Sequence, residues 1–155
     1  MELADFDNHP IEGIARMGNK KFIVPLITEI EEGFWQGGCP RTEAPKDIEF
    51  IVNLYPWEPY ALHDHQIYLQ VKLYDAGDIP DERILHHLAG YINSCRDKGK
   101  TLVHCQAGLN RSALVAGLSL IKRGMKPADA IAMMREKRCD AVLCNKFFED
   151  WLLSQ

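Results

Sequence analysis

Thr101-Leu-Val-His104 is the stretch that most limits what this chain can fold into. It is a short, apolar-flanked run of the kind buried on both faces in the middle of a sheet. A brief loop containing Gly108 follows it. From Arg111 to Lys122, Leu114, Val115, Leu118 and Ile121 then fall on one helical stripe. A buried strand that turns at once into a helix is half of a parallel crossover, and the rest of the chain repeats the pattern. Glu49–Tyr55 and Ile67–Tyr74 read as strands from their β-branched and aromatic content. Asp81–Lys98 reads as a helix, with Ile84, Leu85, Leu88, Ile92 and Cys95 at helical spacing and Gly99 ending it. Another helix covers Ala128–Lys137, after Pro127. A last one begins near Asn145, with Phe147, Phe148, Trp151 and Leu152 on its apolar side. The expectation is one α/β domain with a central, mostly parallel sheet flanked by helices. Residues 1–20 show no clear period and read as an N-terminal extension, leaving 21–155 as the domain.

Charge narrows the range of partners. A formal net charge of −4 offers no basic excess to hold a nucleic-acid backbone or an anionic membrane, so neither is expected as a partner. The longest apolar run, Ala113–Ile121, is too short to span a bilayer. The opening Met-Glu-Leu-Ala-Asp lacks the basic-then-apolar order of a signal peptide, and a cytoplasmic location is the default. The five cysteines are odd in number, unevenly spaced and without a CxxC pair. That fits neither a disulfide scaffold nor a zinc finger.

One of those cysteines stands apart. Leu102-Val-His-Cys-Gln-Ala-Gly-Leu-Asn-Arg-Ser112 is a strand, a loop and the start of a helix. In that arrangement the backbone N–H groups of Gln106, Ala107, Gly108, Leu109 and Asn110 converge on one hollow, at the positive end of a helix dipole. Such a nest binds a tetrahedral oxyanion. Arg111, six positions after Cys105, can fold its planar fork over the same hollow and hold two phosphate oxygens. The same field stabilises a thiolate on Cys105, making it the candidate nucleophile toward phosphorus. Ser112 can donate a hydrogen bond to the sulfur when it departs. His104 is expected to order the loop from behind. The scheme calls for no metal or other cofactor.

His104-Cys105-Gln-Ala-Gly-Leu-Asn-Arg111-Ser112 matches the HCxxGxxR[ST] signature, and the chain resembles the protein tyrosine phosphatase superfamily from about Phe22 onward. The small size looks most like the compact dual-specificity branch, with Phe34-Trp-Gln-Gly-Gly38 similar to its early strand and turn. That resemblance implies a hydrolase acting on phosphotyrosine in a protein or peptide substrate, with phosphoserine and phosphothreonine open as well. It also implies a general acid from a loop about thirty residues before the cysteine. In Tyr74-Asp75-Ala-Gly-Asp78-Ile-Pro80, Asp75 is the preferred candidate. Asp78 is the alternative, with capping of the following helix as its other role. An RNA 5′-triphosphatase, a phosphoinositide phosphatase and a catalytically silent phosphate-binding module are the competing readings. Trp57 and Tyr60 either border a phosphoaryl group or are plain surface aromatics. Arg135-Glu-Lys-Arg138 reads as a solvated helix end from which Arg138 can approach the substrate side, His63-Asp64-His65 as a solvated loop, and Phe147, Phe148 and Trp151 as core.

Overall fold

Side chains of a strand point alternately to opposite faces, and the central sheet follows that rule closely. A computed structural model describes residues 8–155, so residues 1–7 of the expected N-terminal extension lie outside the described residues. Among the described residues the elements run β1 (Ile11–Ile14), β2 (Lys21–Val24), β3 (Ile27–Glu31), β4 (Phe34–Gly37), β5 (Phe50–Asn53), β6 (Ile67–Gln70), α1 (Glu82–Arg96), β7 (Thr101–His104), α2 (Arg111–Lys122), α3 (Pro127–Lys137) and α4 (Lys146–Leu153). β1 and β2 form an antiparallel hairpin, which joins residues on both sides of position 20. The other strands make a five-stranded sheet in the order β3-β4-β7-β5-β6. β4, β7, β5 and β6 are parallel, and β3 pairs antiparallel at the edge.

Thr101–His104 is the centre of that sheet and buried throughout, as its composition requires. Phe34, Val52 and Val103 face one side, where α1 to α4 deliver Leu85, Leu114, Met134, Phe148 and their neighbours. Trp35, Ile51 and Leu102 face the other, where Ala44, Ile48 and the rings of Tyr60 and Tyr68 cover them. All four helices therefore gather on one face, and the 38–48 segment closes the other. Two apolar positions of the helical stripes miss the core: Ile84 and Phe147 are exposed, and Phe148 takes the interior position beside the latter. β6 ends at Gln70, earlier than its apolar sequence suggests. Beyond it, Val71 and Leu73 still donate to the Asn53 and Leu54 carbonyls as the chain runs on to the 75–80 loop.

Two glycines show how tightly β4 is held. A Cβ on Gly37 would lie 2.4 Å from the Leu26 carbonyl oxygen and 2.8 Å from Ile27 Cα, both backbone atoms that cannot rotate away. At Gly90, on the outer face of α1, it would meet nothing within 4 Å. Gly37→Ala is expected to cost about 2–3 kcal/mol. Gly90→Ala should instead stabilise by about 0.5–1 kcal/mol through helix propensity. Urea denaturation of the two variants checks the opposite signs.

Candidate active site

The register brings Gly37, His104 and Asn53 side by side, so β4, β7 and β5 end together and their loops share one end of the sheet. Ligands of open α/β sheets gather outside such carboxyl ends. There the 105–110 loop is fastened by its carbonyls. The Cys105 carbonyl accepts from His104 Nδ1 at 3.0 Å, and that of Gln106 from the Cys39 amide at 2.9 Å. Arg138 donates to Ala107 at 3.1 Å and Gly108 at 2.9 Å, Gln36 Nε2 to Gly108 at 3.0 Å, and the Leu143 amide to Leu109 at 2.8 Å. With these carbonyls turned outward, the amides of Gln106 to Asn110 face the opposite way, and neither they nor the Arg111 amide has a hydrogen-bond acceptor among the described residues. Gly108 makes the turn at φ +71°. A Cβ there would lie 2.5 Å from both Arg138 Nη2 and the Gly37 carbonyl carbon.

Arg138 is therefore no solvated helix end. It is buried, and it also donates to the Pro25 and Leu26 carbonyls and to Thr28 Oγ1. Burial pulls its pKa down to about 10. Arg135, half-buried, holds the Val142 and Leu143 carbonyls and pairs with Glu149, while Glu136 and Lys137 are exposed as the sequence suggests. Neither arginine reaches the substrate side of the loop.

Cys105 is buried at the floor of the hollow, with its Sγ 3.4 Å from Ser112 Oγ. Gln36, which the sequence did not single out, donates to Ser112 Oγ at 3.2 Å. That bond engages the hydroxyl oxygen as an acceptor beside the sulfur, whose thiol is placed to donate to the same oxygen. Asn110 occupies the N-cap position of α2 without capping it, so the first-turn amides of that helix are not consumed by its side chain. Arg111 donates from Nη1 to the Leu73 carbonyl at 3.3 Å and lies 5.1 Å over the Tyr55 ring, and its buried Nε has no hydrogen-bond partner among the described residues.

The Asn110 side chain goes instead to Asp75, donating to Oδ2 at 2.9 Å, while Asn145 donates to Oδ1 at 2.7 Å. Asn145 is fully buried. It also caps α4 through Oδ1 and donates its own amide to Asn110 Oδ1 at 2.9 Å. Asp75 is thus aimed at the loop by two amides from distant segments. Asp78 is exposed and does not cap α1, whose N-cap is Asp81. Hydrogen bonds from Arg83 lower the Asp81 carboxyl to about 2.

Above the loop lies a cleft of ≈ 640 Å³. Tyr55, Trp57 and Tyr74 make one wall, with Trp57 centred 5.1 Å from Tyr55 and 5.4 Å from Tyr74. Ile14, Ala15, Arg16 and Phe22 of the hairpin make another. Trp57 borders the cleft, whereas Tyr60 lies behind it and donates to His104 Nε2 at 2.7 Å. His63 and His65 bond the carbonyls of Ala44 and Lys46, closing the 42–47 segment. Cys39, beside the loop, is pushed up to about 12 by burial first and then by Glu58 and Cys105.

Comparison with known proteins identifies the family of the chain. The family model for the dual specificity phosphatase catalytic domain matches residues 35–155. A probable protein tyrosine phosphatase type IVA B of Dictyostelium discoideum is 29% identical over 89 residues, 52% of this chain and 55% of the relative. Protein tyrosine phosphatase type IVA 3 of Bos taurus is 36% identical over 72 residues, 44% of this chain and 42% of the relative. The chain spans about half the length of these curated relatives. Among solved structures, a mouse putative dual specificity phosphatase complexed with zinc tungstate superposes with a TM-score of 0.71 at 20% identity. The match covers 83% of this chain and 87% of the other. No helix among the described residues is long and apolar enough to cross a membrane.

His104 offers a test of this packing. The Cys105 carbonyl can only accept, so Nδ1 carries the proton and Nε2 receives the Tyr60 hydroxyl. Burial pushes the imidazole down from 6.5 to about 4. The folded protein therefore binds fewer protons than the unfolded chain between those values. Stability is fully present above pH 6.5, falls on acidification toward pH 4, and then levels off. The loss is on the order of 3 kcal/mol, and His104→Gln should flatten that part of the profile in urea melts at pH 7 and 4.5. Equal slopes for the two proteins would overturn the assignment.

Proposed function

Because the chain belongs to the dual specificity phosphatase catalytic-domain family, we propose that it hydrolyses phosphotyrosine in phosphorylated proteins or peptides through a cysteinyl-phosphate intermediate. Phosphoserine and phosphothreonine are substrates too where their shorter side chains reach the sulfur. The observation that carries this reading is the fastening of every loop carbonyl from Cys105 to Leu109 outward, with the amides of Gln106–Arg111 left without acceptors among the described residues in the loop that follows the buried Cys105. Those donors and the unpartnered Arg111 Nε match three phosphoryl oxygens whose charge grows in a loose transition state. The aromatic wall of Tyr55, Trp57 and Tyr74 supports an aryl phosphate, whose ring can stack while its phosphorus reaches the floor.

In the first step the Cys105 thiolate bonds to phosphorus and the phosphorus–oxygen bond to the substrate breaks. The leaving oxygen takes a proton from Asp75. Oδ2 is the oxygen on the Asn110 side, facing the loop, so it carries that proton while Oδ1 stays with Asn145. In the second step water attacks phosphorus, Asp75 takes back a proton, and the phosphorus–sulfur bond breaks. Ser112, its oxygen already engaged by Gln36, donates its hydroxyl proton as a hydrogen bond to the departing sulfur. His104 is held neutral by burial and serves the loop's shape rather than proton transfer.

Cys105→Ser is expected to abolish phosphate release from p-nitrophenyl phosphate and from a phosphotyrosine peptide, while retaining peptide binding by calorimetry; residual turnover would sink the mechanism. Asp75→Asn should lower kcat on the phosphotyrosine peptide by about 10²–10⁴-fold, and far less on p-nitrophenyl phosphate, whose leaving group needs little protonation. Asp78→Asn should behave like the parent in both assays. The reverse pattern would transfer the acid role to Asp78.

A further inference from the structure

The matched family region begins at residue 35, yet one wall of the cleft comes from before it. The β1–β2 hairpin is firmly seated against the site. Ala15 is buried against Leu109 of the loop and Ala141, and its amide donates to the Lys20 carbonyl at 2.7 Å to close the turn. Upstream, Asn8 exchanges two hydrogen bonds with the Ile27 backbone, at 2.8 and 3.2 Å, and Arg41 donates to the Pro10 carbonyl at 3.3 Å. Phe22 lines the cleft, and it is shared with a smaller groove bordered by Lys20, Lys21 and Asp140.

The turn reads Arg16-Met-Gly-Asn-Lys20-Lys21, three cations and no acid within six residues of a chain whose net charge is −4. Arg16 is exposed and lines the same cleft as Cys105, where its Nη2 reaches the Asp75 carbonyl at 3.4 Å. A bond that long holds the guanidinium lightly while keeping it at the rim. Arg16 meets Asp75 through its main-chain carbonyl rather than its carboxylate, whose two oxygens accept from Asn110 and Asn145, and Asp140 is one acid beside two lysines.

The geometry points to a second anion-recognition element on this hairpin. Arg16, backed by Lys20 and Lys21, receives a carboxylate or phosphate carried by a residue flanking the scissile phosphotyrosine. The inference rests on the phosphotyrosine reading above and adds to it a preference among peptides. An arginine fork suits either anion, and a rim position in water gives selectivity rather than large affinity. The preference is also salt-dependent, because such charges are screened within about 10 Å at 0.1 M ionic strength.

The test uses the full chain with Cys105→Ser, titrated by fluorescence anisotropy with three phosphotyrosine peptides. One has alanine flanks, one glutamate flanks, and one a phosphothreonine two residues away. The expected result is about two- to fivefold tighter binding of an acid-flanked peptide than of the alanine-flanked one, shrinking toward unity in 0.5 M NaCl. Arg16→Gln should bring that ratio near one, whereas Lys122→Gln, at the far end of α2, should leave it in place. A gain with glutamate assigns a carboxylate, and a gain only with the second phosphate assigns a phosphate. Equal binding of all three peptides, or a ratio that survives Arg16→Gln, would overturn the inference while the phosphatase reading stands. Failure to bind any of the three, together with no turnover of p-nitrophenyl phosphate by the parent chain, would overturn both.

Discussion

A guanidinium taken out of water at the back of the 105–110 loop sets the shape of everything in front of it. Arg138 reaches across from the end of α3 to carbonyls of the loop and of the segment entering β3, and to Thr28 Oγ1. Burying a charge this way is costly unless it is richly hydrogen-bonded. The cost shows in a pKa drawn down to about 10. What the arrangement accomplishes is directional. Carbonyls that would point at an anion are turned away from it, and the amides are exposed in their place. The glycine at 108 follows from the same contact, because a side chain there would collide with the guanidinium.

The same economy of polar groups orders the acid side of the site. Asn110 and Asn145 stand at the N-caps of α2 and α4 and differ in what they do there. Asn145 caps its helix and still has an amide for Asp75, whereas Asn110 leaves α2 uncapped and spends its amide on Asp75. The first-turn amides of α2 are not taken by the Asn110 side chain, and the two asparagines connect the proposed acid loop, the loop of Cys105 and the last helix into one network. The hairpin adds a wall to this assembly from outside the matched family region, through Ala15 and Phe22 against the loop.

Much of this was legible in the chain. The central strand, the turn into α2, the convergence of loop amides on a cysteine and the placing of Arg111 all follow from a contiguous stretch, because they depend on local backbone geometry and on residues a few positions apart. The helical boundaries came out within a few residues for the same reason. Gln36 and Asn145 were missed because each acts 70 or more residues away on a partner chosen by the fold, and a lone amide carries no periodic signal. Arg138 was misjudged because a charged helix end looks solvated until its carbonyl acceptors are brought around it. Phe147 was misjudged because α4 turns Phe148 and Leu152 to the interior and leaves position 147 outside.

The sequence by itself determined the set proposed for the chemistry: which sulfur, which guanidinium and which turn share one loop, since these are set by short-range covalent connectivity. Only the tertiary structure decided how that chemistry is held and what may approach it. The outward fastening of the loop, the orientation of Asp75 and the aromatic and basic walls of the cleft all join segments far apart in the chain. Their contacts exist only once the core has closed and water has been excluded from it.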